Sequence, residues 1–504
     1  MGQKLKKFLA LVLVFMMVIC VSACKGKGNS TNEDHGDPNA NTSVPEGDLT
    51  LTITKTGNGN EVYAVGVELD PHFLRGNVGR SGVTDGVTWE CKADDWENIV
   101  LPRIADMGLK RIRVMLLPSW FAPTESAYQL KNYTWDSVDM QSLYQTLTAA
   151  QTYEMDVCLV QWGAEGWFKD GNQWVDIPTD PKIFCDLFAD VTDYLINDKG
   201  YTCIKEVTPF NEPNALYGAL GPTKGVEAYI DLCKMLDETF RERNIRQLVK
   251  FNLSDDARDA SWLSNTLYGL EGIYDIVNSH TYDFRVEDSN EDIVNNHHYA
   301  ISNYTLEAKA YDAIHIFGEF GTGYTGGSHS ASDRLEPSRG LLVSRIALNM
   351  LNGGSCGFSY WPLFSQYYGP SSGESIMDMG LWGFADEGYK CRPVYYAYSL
   401  LTRFVRKGMK IYPIESLDGN IVAVAVSDGT DWTYLVVNDS TTDSKEISFL
   451  NQTKFPENMK KYVYDQNNVP TDNQVIQSVE TITANGRVLS DTVAPLTFTV
   501  YTTL

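Results

Sequence analysis

The chain has 504 residues, 43% of them apolar, so it can bury a large core, and its length suggests more than one domain. A formal net charge of -24 leaves Lys and Arg too few to neutralise phosphates over a broad surface, which argues against nucleic acid and polyanionic partners and favours an uncharged ligand. With 28 Tyr and 11 Trp the chain is generous in flat apolar rings, of the kind a sugar-binding cleft uses as platforms, although core packing accounts for most rings in an ordinary protein.

In chain order, the first element is an address. Lys4, Lys6 and Lys7 form a basic region, residues 8 to 20 an apolar one, and Val21-Ser22-Ala23-Cys24 follows in small residues. The pattern, read over residues 1–23, resembles a bacterial lipoprotein signal. The resemblance implies cleavage before Cys24, lipidation of its thiol, and a mature protein held on the outer face of a membrane by that anchor alone. The apolar run is shorter than the ~20 residues a spanning helix needs. Residues 24–48 carry Gly, Asn, Asp, Ser and Thr without an apolar period and predict a flexible tether. The seven cysteines beyond the signal are scattered without a CxxC pair, and Cys158, Cys203 and Cys356 read as buried reduced thiols.

Between residues 60 and 406 short apolar runs alternate with amphipathic stretches. Strands are predicted at 62–69, 110–117, 156–162, 204–210, 248–253, 275–280, 314–319 and 356–361, each rich in β-branched or aromatic residues and nearly continuous in apolarity, as parallel strands covered on both faces are. Helical stripes lie between them, for example Tyr229, Cys233, Leu236 and Phe240, and then Leu342, Ile346 and Met350. The last, over 392–404, starts with proline in its first turn. Eight βα units in series predict a closed (β/α)8 TIM barrel over residues 49–407. After residue 408 helical periodicity stops. Short strand-like runs separated by Gly, Asp and Asn predict a small all-β sandwich over 408–504, and the alternating run 49–57 is a candidate for an additional strand of it.

Two carboxylates stand where strand-like runs end: Glu212 closes IKEVTPFNEP and Glu319 closes IHIFGEF. A barrel builds its site at the C-terminal ends of its strands, and paired carboxylates there are the equipment for splitting a glycosidic bond. Asn211-Glu212-Pro213 after the fourth predicted strand and Glu319 after the seventh resemble clan A of the glycoside hydrolases. With Arg113 in KRIRV, His280 and Tyr282 in SHTYDF, and Trp361 in SYWPL, the barrel most resembles the cellulase-like family 5. One departure stands out: where family 5 members often carry a His after the third strand, this chain has Gln161 and Trp162.

The resemblance implies a retaining enzyme that cleaves a β-linked oligo- or polysaccharide without a metal or organic cofactor, working as a monomer. Glu319 would be the nucleophile, ionised with the help of Arg113 and Tyr282, and Glu212 the acid/base, protonated near neutral pH. Asn211 would bind a sugar 2-hydroxyl, His280 would orient or exchange protons with Glu212, and Trp361 would floor the subsite at the cleavage point. Arg111 shares the face of Arg113, and the family match selects Arg113. Trp120, Trp162, Trp167, Tyr217, Tyr324, Tyr367 and Trp382 lie near predicted strand ends, where cleft lining and ordinary packing are both open to them. His297 and His298 lack metal-ligand spacing around them. A non-catalytic carbohydrate-binding surface lipoprotein is the alternative function.

Overall fold

The computed structural model describes residues 40–504 apart from 55, 72–82, 85–86, 89–90, 92, 174, 283, 297–299, 323–334, 368–375, 378, 384, 453–454 and 457. Cys24, the signal segment, Tyr324, His297 and His298 therefore lie outside the described residues.

Eight parallel strands close into a barrel in chain order: Ala64–Glu68, Arg111–Leu116, Asp156–Gln161, Ile204–Thr208, Lys250–Ala257, Ile276–Thr281, His315–Phe320 and Gly357–Tyr360. The eighth pairs with the first and completes the ring. Gly357 is needed at that seam, because a Cβ there would lie 1.8 Å from the Ala64 carbonyl oxygen. Seven of the eight strands sit within two or three residues of their predicted bounds; the fifth runs four residues further. Its extra residues, Ser254 to Ala257, are mostly polar and pair with the sixth strand through a bulge.

The helices start where local chemistry places them. Ser137, Asp180 and Asp259 each accept a backbone N–H of the following turn, capping Val138–Thr152, Pro181–Asp193 and Ala260–Gly269. Proline opens Pro222–Glu242, Pro337–Gly353 and Pro393–Phe404, where its missing N–H costs no hydrogen bond. The predicted stripes face inward: Tyr229, Cys233, Leu236 and Phe240 are fully buried, as are Ile346 and Met350. All seven described cysteines are buried free thiols.

The sandwich has a six-stranded sheet, containing Lys410–Ile414, Ile421–Ser427, Trp432–Asn438, Thr497–Thr502, Asn458–Asp465 and Glu480–Thr483 in spatial order. A three-stranded sheet faces it across a core of Leu51, Ile53, Tyr434, Val436, Ile447, Phe449, Leu489 and Tyr501. The run at 49–57 does supply a strand. Leu49–Ile53 pairs with Lys445–Asn451 in parallel, the one exception to an otherwise antiparallel arrangement. The end of the segment read as tether also lies against this sheet: the Asn41 carbonyl accepts the Arg487 N–H at 2.9 Å, and Asp48 accepts the Ser448 hydroxyl at 2.6 Å. Barrel and sandwich meet along the last two barrel helices, where Phe404 packs on Tyr462 and Tyr464 donates to the Pro337 carbonyl.

The barrel interior is polar in its lower layer. Arg111 donates to both oxygens of Glu206, at 3.2 and 2.8 Å, and to Ser359, while Asn252 and Tyr63 add hydrogen bonds to Glu206. Burial works against the Glu206 charge, but Arg111 and these hydrogen bonds hold its carboxyl below the ordinary range. Its contribution to stability is therefore full above the unfolded carboxylate range and lost as the pH falls through the lower folded value. Glu206→Gln strands the Arg111 charge. The expected cost is about 3–5 kcal/mol, read as a lowered melting temperature at neutral pH and a smaller difference from wild type at acid pH.

Candidate functional site

At the C-terminal mouth of the barrel the side chains converge on one cation. Arg113, 1% exposed on the second strand, donates from Nη1 to Glu319 Oε1 at 2.5 Å and to Glu68. From Nη2 it donates to Asn211 Oδ1 at 2.8 Å and Asp255 Oδ2 at 2.7 Å. The indole of Trp162 lies against the guanidinium, 5.2 Å from ring centroid to Cζ. An aromatic just after the third strand thus backs the arginine. Arg111, the other candidate, is committed to Glu206 one layer below.

Glu319 is nearly enclosed. Tyr282 donates its hydroxyl to Oε2 at 2.5 Å, so each carboxyl oxygen of Glu319 has a donor. The Tyr282 ring lies close over Gly321, where a Cβ would come within 3.0 Å of it. Burial, and next the Glu319 charge, push the Tyr282 hydroxyl well above its ordinary range, so it remains a donor at any working pH. Trp361 meets that ring edge-on, with centroids 6.2 Å apart.

Glu212 differs from Glu319. Its side chain is 32% exposed, it sits in left-handed backbone at φ 48°, and its Oε1 contacts His280 Nδ1 at 3.0 Å. A carboxylate oxygen of Glu212, one of Glu319 and a ring nitrogen of His280 all lie within 4.8 Å of one another. His280 touches Asp255 Oδ1 through Nε2 at 3.2 Å and approaches Glu319 Oε2 at 3.5 Å. Burial alone would drive its proton off, but Glu319 and Asp255 raise the ring well above its ordinary range, which makes it an imidazolium. These three residues could in principle hold a cation, yet Arg113 and the imidazolium already supply positive charge at the same oxygens.

Asp255 and Glu68 are members of the site that the sequence reading missed. Asp255 reaches inward because the end of the fifth strand is bulged, with Ser254 and Asp255 both at positive φ, 75° and 49°. Although burial opposes its charge, Arg113 and His280 bring Asp255 down to about 2. The signal for it was faint: the doublet Asp255-Asp256 lies just beyond the strand predicted at 248–253. Glu68 is 0% exposed and opposes Arg113 in register across the first two strands.

The electrostatics of Glu319 differ from the expectation. Burial pushes its carboxyl up to about 7; His280 and Arg113 pull it down, and Glu68 and Glu212 oppose them. The arginine cannot lower it fully because its charge is divided among Glu319, Glu68 and Asp255.

Of the rings proposed to line a cleft, Trp120, Tyr217 and Trp382 are buried packing elements, Trp162 serves Arg113, and Trp167 is half-buried with its N–H on the Ala122 carbonyl. The side chain of Tyr367 lies outside the described set.

No family model matches the chain, and no curated protein does. Solved structures do. A glycoside hydrolase family 30 subfamily 8 xylanase from Clostridium acetobutylicum superimposes with a TM-score of 0.61 at 12% identity, covering 91% of this chain and 99% of its own. A family 39 enzyme from Xanthomonas axonopodis pv. citri gives 0.57 at 16%, covering 91% and 99%. A family 51 α-L-arabinofuranosidase from Bifidobacterium longum gives 0.59 at 11%, covering 91% and 100%. At such identities the likeness establishes the shared fold over nearly the whole of each chain.

His280 offers a test independent of any activity. Its ring 15N shifts at neutral pH are expected to show both nitrogens protonated, and Asp255→Asn should return its titration toward the ordinary histidine range. A neutral ring in the wild type at pH 7 would contradict this charge arrangement.

Proposed function

We propose that the chain is a retaining glycoside hydrolase of the clan A type, cleaving a β-linked oligo- or polysaccharide by double displacement. One observation carries the reading: two carboxylates from the fourth and seventh strand ends present oxygens within 4.8 Å of each other at the barrel mouth, one clamped by donors and one open to solvent. Retaining enzymes hold such groups about 5–5.5 Å apart, whereas inverting ones leave room for a water between them, at about 6.5–9.5 Å.

The roles follow from the environments. Glu319, with a donor on each oxygen, is fixed for in-line attack on the anomeric carbon. Glu212 can reach a leaving group or a water. In the first step a Glu319 oxygen bonds to the anomeric carbon, the glycosidic C–O bond breaks, and the Glu212 proton passes to the departing oxygen. In the second, Glu212 takes a proton from water, the resulting oxygen attacks the same carbon, and the ester bond to Glu319 breaks. Asn211 has its carbonyl oxygen on Arg113, which leaves its NH2 to donate to a sugar hydroxyl. Trp361, 5% exposed beside Tyr282, would contribute a ring edge or face to the bound sugar.

The β-linkage rests on the resemblance to cellulase-like enzymes. The structural neighbours carry family numbers 30, 39 and 51, and the residues that suggested family 5 are those the mechanism itself requires, so the proposal stands at the level of the clan. Residues 1–24 add a proposed location, with the enzyme lipidated at Cys24 and displayed outside a bacterial membrane.

Reaction of the wild type with a panel of β-glycans is expected to release reducing ends whose initial anomeric configuration, read by 1H NMR, is that of the substrate. Glu212→Gln should lower kcat by about 10²–10⁴-fold on natural glycans and less on aryl glycosides with good leaving groups. A wild type that binds a β-glycan without cleaving it, or an inverted product, would sink the proposal.

The pH profile is a second test. Only ionised Glu319 attacks, and its folded carboxyl titrates near 7, so its active form is full above that value and lost as the pH falls below it. The acid limb of kcat/KM should therefore lie near 7, well above that of an ordinary glutamate.

A further inference from the structure

We propose that Asp256, whose side chain the hydrolytic mechanism does not use, is a positioning residue: it clamps together the two register shifts that bring Asp255 against His280. Only its effect on turnover rests on the functional reading above. Its hydrogen-bond partners are Ser254, Ser279 and Asp259, none of them assigned a part in the reaction.

Both shifts meet at this carboxyl, which is 0% exposed. Pairing of the fifth and sixth strands jumps from Ser254 opposite Asn278 to Asp256 opposite Ser279, which leaves Asp255 as the extra residue of the bulge. Pairing of the sixth and seventh strands shifts between Ser279 and His280. Asp256 Oδ1 accepts the hydroxyl of Ser254, the residue before Asp255, at 2.7 Å. The same oxygen accepts the hydroxyl of Ser279, the residue before His280, at 2.9 Å. Oδ2 accepts the Asp259 N–H at 3.3 Å, and Asp259 in turn caps the helix Ala260–Gly269. One side chain thus ties the fifth strand to the sixth behind the Asp255–His280 contact and to the helix that follows.

The backbone at this point requires such ties. Ser254 and Asp255 lie at φ 75° and 49°, and successive left-handed residues persist only where their surroundings over-determine them. The Ser254 N–H donates to the Tyr229 hydroxyl at 3.2 Å, and the Asp255 carbonyl accepts the Glu212 N–H at 3.1 Å. Those bonds hold the bulge to other elements; the Asp256 carboxyl holds it against the sixth strand, at the level where the ladder is interrupted. Removing the carboxyl leaves two buried hydroxyls without their acceptor and lets the bulge relax, which moves Asp255 off Nε2 of His280. Burial pushes the Asp256 carboxyl up to about 7, so its grip on the serines does not need a full charge, and an asparagine amide oxygen can stand in for Oδ1.

The test reads the His280 ring by 15N NMR in the wild type, Asp256→Ala, Asp256→Asn and Ser279→Ala. Asp256→Ala should lower the midpoint of the ring titration by about 1 pH unit or more, because the ring loses its Asp255 partner. Asp256→Asn keeps an oxygen for both serines and should leave the midpoint near that of the wild type. Ser279→Ala, with the carboxyl intact, should move it in the direction of Asp256→Ala by a smaller amount. Equal shifts in Asp256→Ala and Asp256→Asn would mean that Asp256 acts through charge alone and would overturn the proposal, as would an unmoved midpoint in folded Asp256→Ala. If Asp256→Ala does not fold, Ser279→Ala decides, and an unmoved ring there refutes the clamp.

In turnover, Asp256→Ala should lower kcat by about 10²-fold, as an ångström-scale misplacement of a catalytic group does. In an Asp255→Asn background the same substitution should cost little more, since the contact it protects is already gone. Losses that multiply would show that Asp256 acts by another route and would refute the proposal. The NMR measurements need no activity, so a protein that hydrolyses no glycan would count against the functional reading and leave the clamp to be judged on the His280 ring.

Discussion

A single buried guanidinium organises this molecule's mouth. Arg113 has five N–H donors in a rigid fork, and four acceptors from four different strands or strand ends converge on two of its nitrogens. Taking a cation and three carboxyls out of water costs several kcal/mol per ion, offset only where the hydrogen-bond geometry is good. The barrel meets that condition by aiming strands at one point. The indole of Trp162 lies against the guanidinium. A lysine could not serve, since its compact ammonium lacks the planar spread that lets Glu319 and Asp255 be bound from separate nitrogens.

Holding these groups together requires departures from regular strand geometry. A regular fifth strand would alternate its side chains, and Asp255 would not meet both Arg113 and His280; the bulge and two successive left-handed residues turn it inward. The register slip between Ser279 and His280 brings His280 opposite Glu319. Glu212 adopts left-handed backbone just before the proline that starts the next helix, and its N–H is tied to the Asp255 carbonyl at 3.1 Å. Local strain of this kind is tolerated where surrounding contacts over-determine the backbone. Here those contacts are the same ionic ones that define the site.

Much of this was legible in the residues. Strand runs such as Arg111–Leu116 and His315–Phe320 announce themselves by continuous apolarity, because a barrel strand is covered on both sides. Glu212, Glu319, His280, Tyr282 and Asn211 were placed at strand ends and Arg113 within a strand, and the fold brings them into contact. What stayed hidden was charge that looks misplaced in one dimension. Glu68 lies inside the apolar run VGVEL, where a lone acid suggests an edge or an exposed position, and only the register against Arg113 explains it. Asp255 was masked by its neighbour Asp256, since two adjacent aspartates usually mean a turn. The expected depression of Glu319 also failed for a reason no linear reading contains: its cation is shared. In the sandwich, Lys410–Ile414, Glu480–Thr483 and Val488–Val493 are short or polar and acquire order from their partners, so the sequence pattern marks them weakly.

The parallel pairing of Leu49–Ile53 with Lys445–Asn451 carries a kinetic consequence. Asp48 and Ser448, hydrogen-bonded in the folded protein, stand 400 residues apart along the chain. During synthesis the earliest strand must therefore wait, unpaired and alternating in apolarity, until nearly the entire polypeptide has emerged. Long-range closures of this sort are slow, and a strand that waits is open to wrong partners. The same closure then fastens a strand that precedes the barrel to one that follows it. The barrel between them is held like a bead whose thread has been tied behind it.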